Sequence, residues 1–209
     1  MAYASYTTTR RNLAALKSAG WALLVSPTGC LPLPEARARL EGWRFGLDNG
    51  AWTAHQQGTA FDADAFWAYL RELGQAADWV VVPDIVEGGT ASLVFSLEWL
   101  PRVLESSRVA LLAVQDGMAP DDVAHLLGGR VGLFVGGSTD WKERTLPQWG
   151  RLARECGCYL HVGRVNSSRR IFLCSAAGAD SFDGTSASRF SVNVRHLDNA
   201  RRQMSWVLS

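Results

Sequence analysis

Along the chain, short apolar runs alternate with longer stretches in which apolar residues return every three or four positions. The runs are Tyr3–Thr8, Trp21–Ser26, Arg44–Asp48, Trp79–Asp84, Val109–Gln115, Val131–Gly136, Tyr159–Val165 and Ser181–Thr185. Each has the length of a strand and a nearly continuous apolar character, the pattern of strands covered on both faces in a parallel sheet. The stretches between them read as helices. In Asp62–Leu73, Phe66, Leu70 and Leu73 share one face, and in Thr90–Ser106 the same holds for Leu93, Leu97, Leu100 and Leu104. Pro120, Asp121 and Asp122 open another helix, which Gly128–Gly129 closes. Strands alternating with helices in this way predict the α/β class and a compact, single-domain (β/α)8 TIM barrel, with an open doubly wound sheet as the alternative.

The 209 residues, 47% hydrophobic and 20% charged, suffice for one such core. A formal net charge of +1 excludes a whole-molecule basic field. Arg169, Arg170, Arg189, Arg195, Arg201 and Arg202 nevertheless crowd the last fifth of the chain, either as a local basic strip or as a solvated helix face. The four cysteines, Cys30, Cys156, Cys158 and Cys174, have no zinc-like spacing and read as reduced thiols, so no metal and no cofactor is expected. Without a signal pattern or a membrane-length apolar run, a soluble cytoplasmic protein with no membrane partner is expected.

In a parallel barrel, chemistry gathers where the strands end at their C-termini. Here those ends read Asp48-Asn49-Gly50, Pro83-Asp84, Gln115-Asp116-Gly117, Gly136-Gly137-Ser138, His161 with Gly163-Arg164-Val165-Asn166, and Phe182-Asp183-Gly184-Thr185. An unpaired buried carboxylate costs several kcal/mol, so packing alone gives no reason for three of them around one axis. Each residue also has a plain reading. An Asp before Gly caps turns, Gly136-Gly137 can be a tight turn, His161 a satisfied core histidine, and Trp52 either packing or a stacking platform.

These segments, in this order, resemble the tRNA-guanine transglycosylase superfamily, and within it the shorter DNA 7-deazaguanine transglycosylases. The family's Asp-Ser-Gly-Gly-Phe is similar to Asp48-Asn49-Gly50-Ala51-Trp52, and its guanine-reading aspartate to Asp84. Its Val-Gln-Gly-Gly resembles Val114-Gln115-Asp116-Gly117, and its Gly-Leu-Ala-Val-Gly resembles Gly132-Leu133-Phe134-Val135-Gly136. Its Met-Gly-Val-Gly strand resembles His161-Val162-Gly163-Arg164-Val165, and its nucleophile segment resembles Gly178-Ala179-Asp180-Ser181-Phe182-Asp183-Gly184. The likeness runs from about Trp21 to Arg189. The family's zinc-binding Cys-x-Cys-x-x-Cys and its subdomain have no counterpart, which favours DNA over tRNA as the polymer.

The resemblance implies a base exchange in which guanine in a nucleic acid is replaced by a free 7-deazaguanine base. Asp183 would be the covalent nucleophile and Asp48 the acid/base. Asp84, Gln115, Gly136, Gly137, Trp52, Asn49, His161 and Gly163 would hold the base, and Arg164, Asn166 and Arg189 would contact phosphate. A tRNA or RNA guanine transglycosylase-like enzyme, a barrel hydrolase acting on free nucleosides or sugars, and a non-catalytic nucleic-acid-binding subunit are the competing readings. Homo-oligomerisation or association with a partner subunit stays open.

Overall fold

The computed structural model of the chain describes residues 1–5, 12–28 and 32–207. Eight parallel strands close into a barrel in chain order: β1 Ala2–Ser5, β2 Ala22–Val25, β3 Phe45–Leu47, β4 Val80–Val81, β5 Ala110–Val114, β6 Val131–Val135, β7 Leu160–Val162 and β8 Ser181–Gly184. β1 pairs with β8, Tyr3 opposite Asp183, so the sheet has no open edge, and the open doubly wound alternative is excluded. Every strand falls within or beside its predicted run. Tyr6–Thr8 of the first run lie outside the described residues, as does Cys30.

Around the barrel run α1 Leu13–Ser18, α2 Leu33–Leu40, α3 Ala51–Gln57, α4 Ala63–Leu73, α5 Gly89–Ser106, α6 Pro120–Val123, α7 Thr139–Cys156, α8 Ser168–Ala176, α9 Ser186–Arg189 and α10 Ser191–Val207. In α4 the predicted face is the buried one: Phe66, Leu70 and Leu73 pack on β3 and β4, and Asp62 caps the first turn by accepting from the Ala65 N–H at 2.9 Å. In α5 the buried face is rotated from the leucine stripe. Ser92, Ser96, Leu100 and Val103 are buried, whereas Leu97 is exposed. The serines face inward because they satisfy the backbone after β4: Ser96 Oγ donates to the Pro83 carbonyl at 2.8 Å, and Ser92 Oγ accepts from the Ile85 N–H at 3.0 Å. The helix predicted over 120–129 is one α turn followed by a 3-10 turn, Ala124–Leu126, before Gly128 bridges to Val131.

Strand parity decides which residues look into the barrel. Phe45 and Leu47, Ala110, Leu112 and Val114, Leu133 and Val135, Leu160 and Val162, and Phe182 all pack outward beneath the helices. The alternate positions therefore face the axis. The interior cluster is Tyr3, Ala22, Leu24, Trp79, Val81 and Leu111, with Phe134 and Tyr159 against it. Such a bulky floor fits because Gly46 lies opposite Trp79, where a Cβ would stand 2.5 Å from the indole. Carried one or two steps past the strands, the same parity turns Asp48, Gln115, Gly136, Gly163 and Asp183 inward at one mouth.

Candidate active site

At the centre of that mouth lies Asp183, on β8 and 4% exposed. Its Oδ2 lies 3.0 Å from His161 Nε2, and its Oδ1 accepts a long bond, 3.4 Å, from the Arg164 N–H. Gly163 lets the β7 backbone pass close by, since a Cβ there would be 2.8 Å from Phe134 and 3.4 Å from Asp183 Oδ2. His161 is completely buried, boxed by Tyr3, Trp79 and Phe134 at ring-centroid distances of 5.8, 4.5 and 4.9 Å. Both ring nitrogens are engaged, Nδ1 with Ser181 Oγ at 2.7 Å. The sequence placed His161 among base-binding residues; the structure corrects this, because the imidazole lies beneath Asp183 and presents nothing to the opening.

Asp48 follows β3, and its carboxyl is pushed up to about 7, first by burial and then by the charges of Asp183 and Asp84, while the N–H groups of Gly50 and Asn49 pull it down. Asp84 is pushed up to about 6 by burial, against the hydrogen bond from Asn49. Asn49 ties the two together. Its Nδ2 donates to Asp84 Oδ1 at 2.7 Å and to the Val82 carbonyl at 3.0 Å, and its Oδ1 accepts from the Ala51 N–H at 2.8 Å at the start of α3. With both amide hydrogens committed, Asn49 positions Asp84 rather than touching a ligand, a second correction.

Gln115 is buried and donates from Nε2 to the Ile85 carbonyl at 2.9 Å, which leaves its second N–H and its Oε1 for a ligand. The Gly136 N–H is bonded to the Val114 carbonyl at 2.9 Å, so it is not the expected donor; the Gly137 N–H, with no bond among the described residues, remains. Gly163 likewise has both backbone groups engaged, its N–H with Val135 and its carbonyl with Lys142. Its role at the site is the space its missing side chain leaves. Asn166 Oδ1 accepts from the Ser186 N–H at 2.9 Å and so caps α9, which leaves Nδ2 as the group it could offer a phosphate.

Arg164 has φ +60°, a left-handed conformation rare outside glycine, and its guanidinium lies 4.2 Å from the centre of the exposed Trp52 ring while donating to the Gly137 carbonyl. β3 and β7 stand on opposite sides of an eight-stranded ring, so this contact crosses the mouth. Arg189, at the end of α9, is exposed on the rim beyond Asp183. Lys142, on α7, went unnoticed in the sequence, where it reads as one more helix-surface charge. It is buried, donates to the Gly163 carbonyl at 2.5 Å, and is pushed down to about 8 by burial and by Arg164, against the pull of Asp183.

Two carboxyls titrating above their unfolded values favour folding below the unfolded carboxylate range, about 4, and that contribution is lost as pH rises through about 6 and about 7. Both groups keep some surface at the mouth, so the expected loss of stability between pH 5 and pH 8 is on the order of 1–2 kcal/mol. His161 is pushed down by burial and acts in the opposite sense as pH falls. Thermal unfolding of Asp48→Asn beside the unsubstituted chain isolates the Asp48 share. The variant is expected to melt higher at pH 8 and to show the flatter pH profile; parallel profiles would refute the assignment.

No protein-family model and no curated protein matches the chain. Among solved structures, it is similar to CitE complexed with the triphosphate group of ATP, from Mycobacterium tuberculosis, with 12% identity, TM-score 0.53 and coverage of 96% of each chain. It is also similar to tryptophan synthase from M. tuberculosis in an open form with a bound compound. The identity there is 14% and the TM-score 0.53, over 97% of this chain and 89% of that one. At such identities the likeness establishes the (β/α)8 fold and nothing about the reaction. Among the described residues, no helix is long and apolar enough to cross a membrane and no cluster of His, Cys, Asp and Glu could hold a metal ion.

Proposed function

We propose that the protein is an enzyme, a glycosyltransferase that exchanges guanine in DNA for a free 7-deazaguanine base through a covalent intermediate on Asp183. The observation that carries this reading is the pairing of an acid/base with a nucleophile in one cup: Asp48, pushed up to about 7 by burial and then by its acidic neighbours, beside Asp183, which is held by hydrogen bonds beneath the opening. A carboxyl that holds its proton near neutral pH can serve as the acid beside a carboxylate placed to serve as the nucleophile.

In the first step an oxygen of Asp183 bonds to C1′ as the C1′–N bond breaks, and protonated Asp48 gives its proton to the departing base. In the second, Asp48 takes a proton from the incoming base, whose ring nitrogen attacks C1′ and releases the Asp183 carboxylate. Two inversions give net retention at the sugar. Asp84 accepts from the N–H groups along the guanine edge, while the second Gln115 N–H and the Gly137 N–H donate to its O6. Trp52 supplies a stacking face once Arg164 swings from it to a phosphate, and Arg189 offers a second phosphate contact. The target nucleotide has to leave the helix stack to reach the cup.

Incubation of the protein with DNA and 7-cyano- or 7-aminomethyl-7-deazaguanine, followed by digestion to nucleosides and mass analysis, is expected to reveal the deazaguanosine with equimolar release of guanine. Exchange confined to RNA would change the polymer. Turnover of free nucleosides with no salt dependence would favour the nucleoside-processing alternative, since only phosphate contacts release counterions.

A further inference from the structure

Below the mouth, the barrel interior carries a line of polar side chains that the exchange mechanism does not use. From Asp183 it runs through His161 Nε2 at 3.0 Å and His161 Nδ1 to Ser181 Oγ at 2.7 Å. Tyr159 lies beside Ser181 and Tyr3 on the same interior layer and interacts with both. Tyr3 Oη donates to Asp78 Oδ2 at 2.8 Å, and Asp78 pairs with Arg44, whose side chain reaches solvent at the far end of the barrel. His161, Ser181 and Tyr3 are at most 1% exposed, in a layer where TIM barrels ordinarily stack branched aliphatics. Buried polar groups placed there need a purpose that packing does not supply.

We propose that Ser181 is a positioning residue: its hydroxyl donates to His161 Nδ1 and so fixes the imidazole with its proton on Nε2, directed at Asp183 Oδ2. This proposal rests on the reading of Asp183 as nucleophile.

Proton counting carries it. Burial disfavours an imidazolium at His161, so the ring has one N–H to place. If that hydrogen sat on Nδ1, the Nε2 lone pair would face the Asp183 carboxylate at 3.0 Å with nothing between them. Only a protonated Asp183, useless as a nucleophile, would relieve that contact. With the hydrogen on Nε2, Nδ1 is an acceptor, and the neighbour able to supply a proton is Ser181. Tyr3 directs its own hydrogen to Asp78 Oδ2, so it is no competing donor in this layer. The charged groups around His161 are Asp183 from β8, Lys142 from α7 and the chain's amino terminus, and none of them can donate to Nδ1 in place of Ser181. The result is that Oδ2 of Asp183 is held, and Oδ1, with only its long bond from the Arg164 N–H, faces the reacting carbon.

The test is nitrogen NMR of the protein labelled at histidine, with the His161 signals assigned by their loss in His161→Gln. Nε2 is expected in the protonated form and Nδ1 in the unprotonated, hydrogen-bonded form. Ser181→Ala is expected to shift the Nδ1 signal and to lower kcat for base exchange about 10-fold with KM within about twofold, since it loosens an oriented group without touching the substrate. Ser181→Thr restores the hydroxyl and is expected to recover both readouts. Ser181→Cys, nearly isosteric, keeps a folded comparison available should Ser181→Ala unfold, and its weaker thiol donor is expected to move the Nδ1 signal in the same direction. A protonated Nδ1 in the unsubstituted protein overturns the proposal whatever the activity. So does a Ser181→Ala protein with unchanged Nδ1 signal and kcat. Protonated Nε2 without any base exchange supports the positioning role and overturns the base-exchange reading instead.

Discussion

Asp183→Asn is expected to abolish base exchange, with a fall in kcat of about 10^4-fold or more, because the amide cannot form the covalent bond to C1′ and the proposed mechanism commits Asp48 to proton transfer and Asp84 to the base edge. The substitution is nearly isosteric and its carbonyl can still accept from His161, so the fold and the base pocket should survive. Binding of the free 7-deazaguanine base, followed by calorimetry, should stay within a few-fold of the unsubstituted protein. Denaturing electrophoresis with labelled DNA should reveal a covalent protein–DNA adduct for the unsubstituted chain and none for the variant. Appreciable exchange by Asp183→Asn would end the nucleophile assignment and with it the proposed mechanism.

Asp48→Asn is expected to lower kcat by about 10^2- to 10^4-fold, the usual contribution of a positioned acid/base. The pH dependence distinguishes this loss from a structural one. In the unsubstituted protein, protonation of the departing base needs Asp48–H, so adduct formation should decline as pH rises through about 7. In Asp48→Asn that decline should vanish. A departing base that needs no proton should escape the loss, so DNA carrying a more acidic leaving base is the diagnostic substrate. Equal losses with both bases would mean that Asp48 serves the pocket's shape rather than its protons. The same substitution is expected to raise the melting temperature at pH 8, a gain in stability with a loss of chemistry. That opposition is expected where like charges are gathered for function.

What the sequence makes legible follows from which forces are local. The strand runs, the helix faces of α4 and the β/α alternation depend on apolar periodicity within a dozen residues, and all reappear in the barrel. The face of α5 did not, because Ser92 and Ser96 are buried for the sake of backbone groups on another segment, Ile85 and Pro83, and no periodicity of leucines records that demand. Among the candidate site residues, Asp48, Gln115 and Asp183 gather at the mouth because strand parity and a shared C-terminal end put them there. Asp84, on the outward parity of Val80 and Val82, joins them past the strand end through its bond from Asn49. Lys142 escaped notice since an isolated lysine on an amphipathic helix carries no sign of the carbonyl it will meet.

By itself, then, the order of residues determined the class of fold and which strand ends would carry acids, since both are properties of segments. The tertiary structure alone decided the division of labour among those residues: that His161 and Asn49 hold other side chains, that Gly136 has no N–H to offer, that Arg164 bridges to Trp52, and that Asp48 titrates near 7. The physical reason is that a hydrogen bond or a shifted pKa belongs to a pair of groups and to the solvent they exclude, and closing the barrel brings together pairs that lie far apart along the chain.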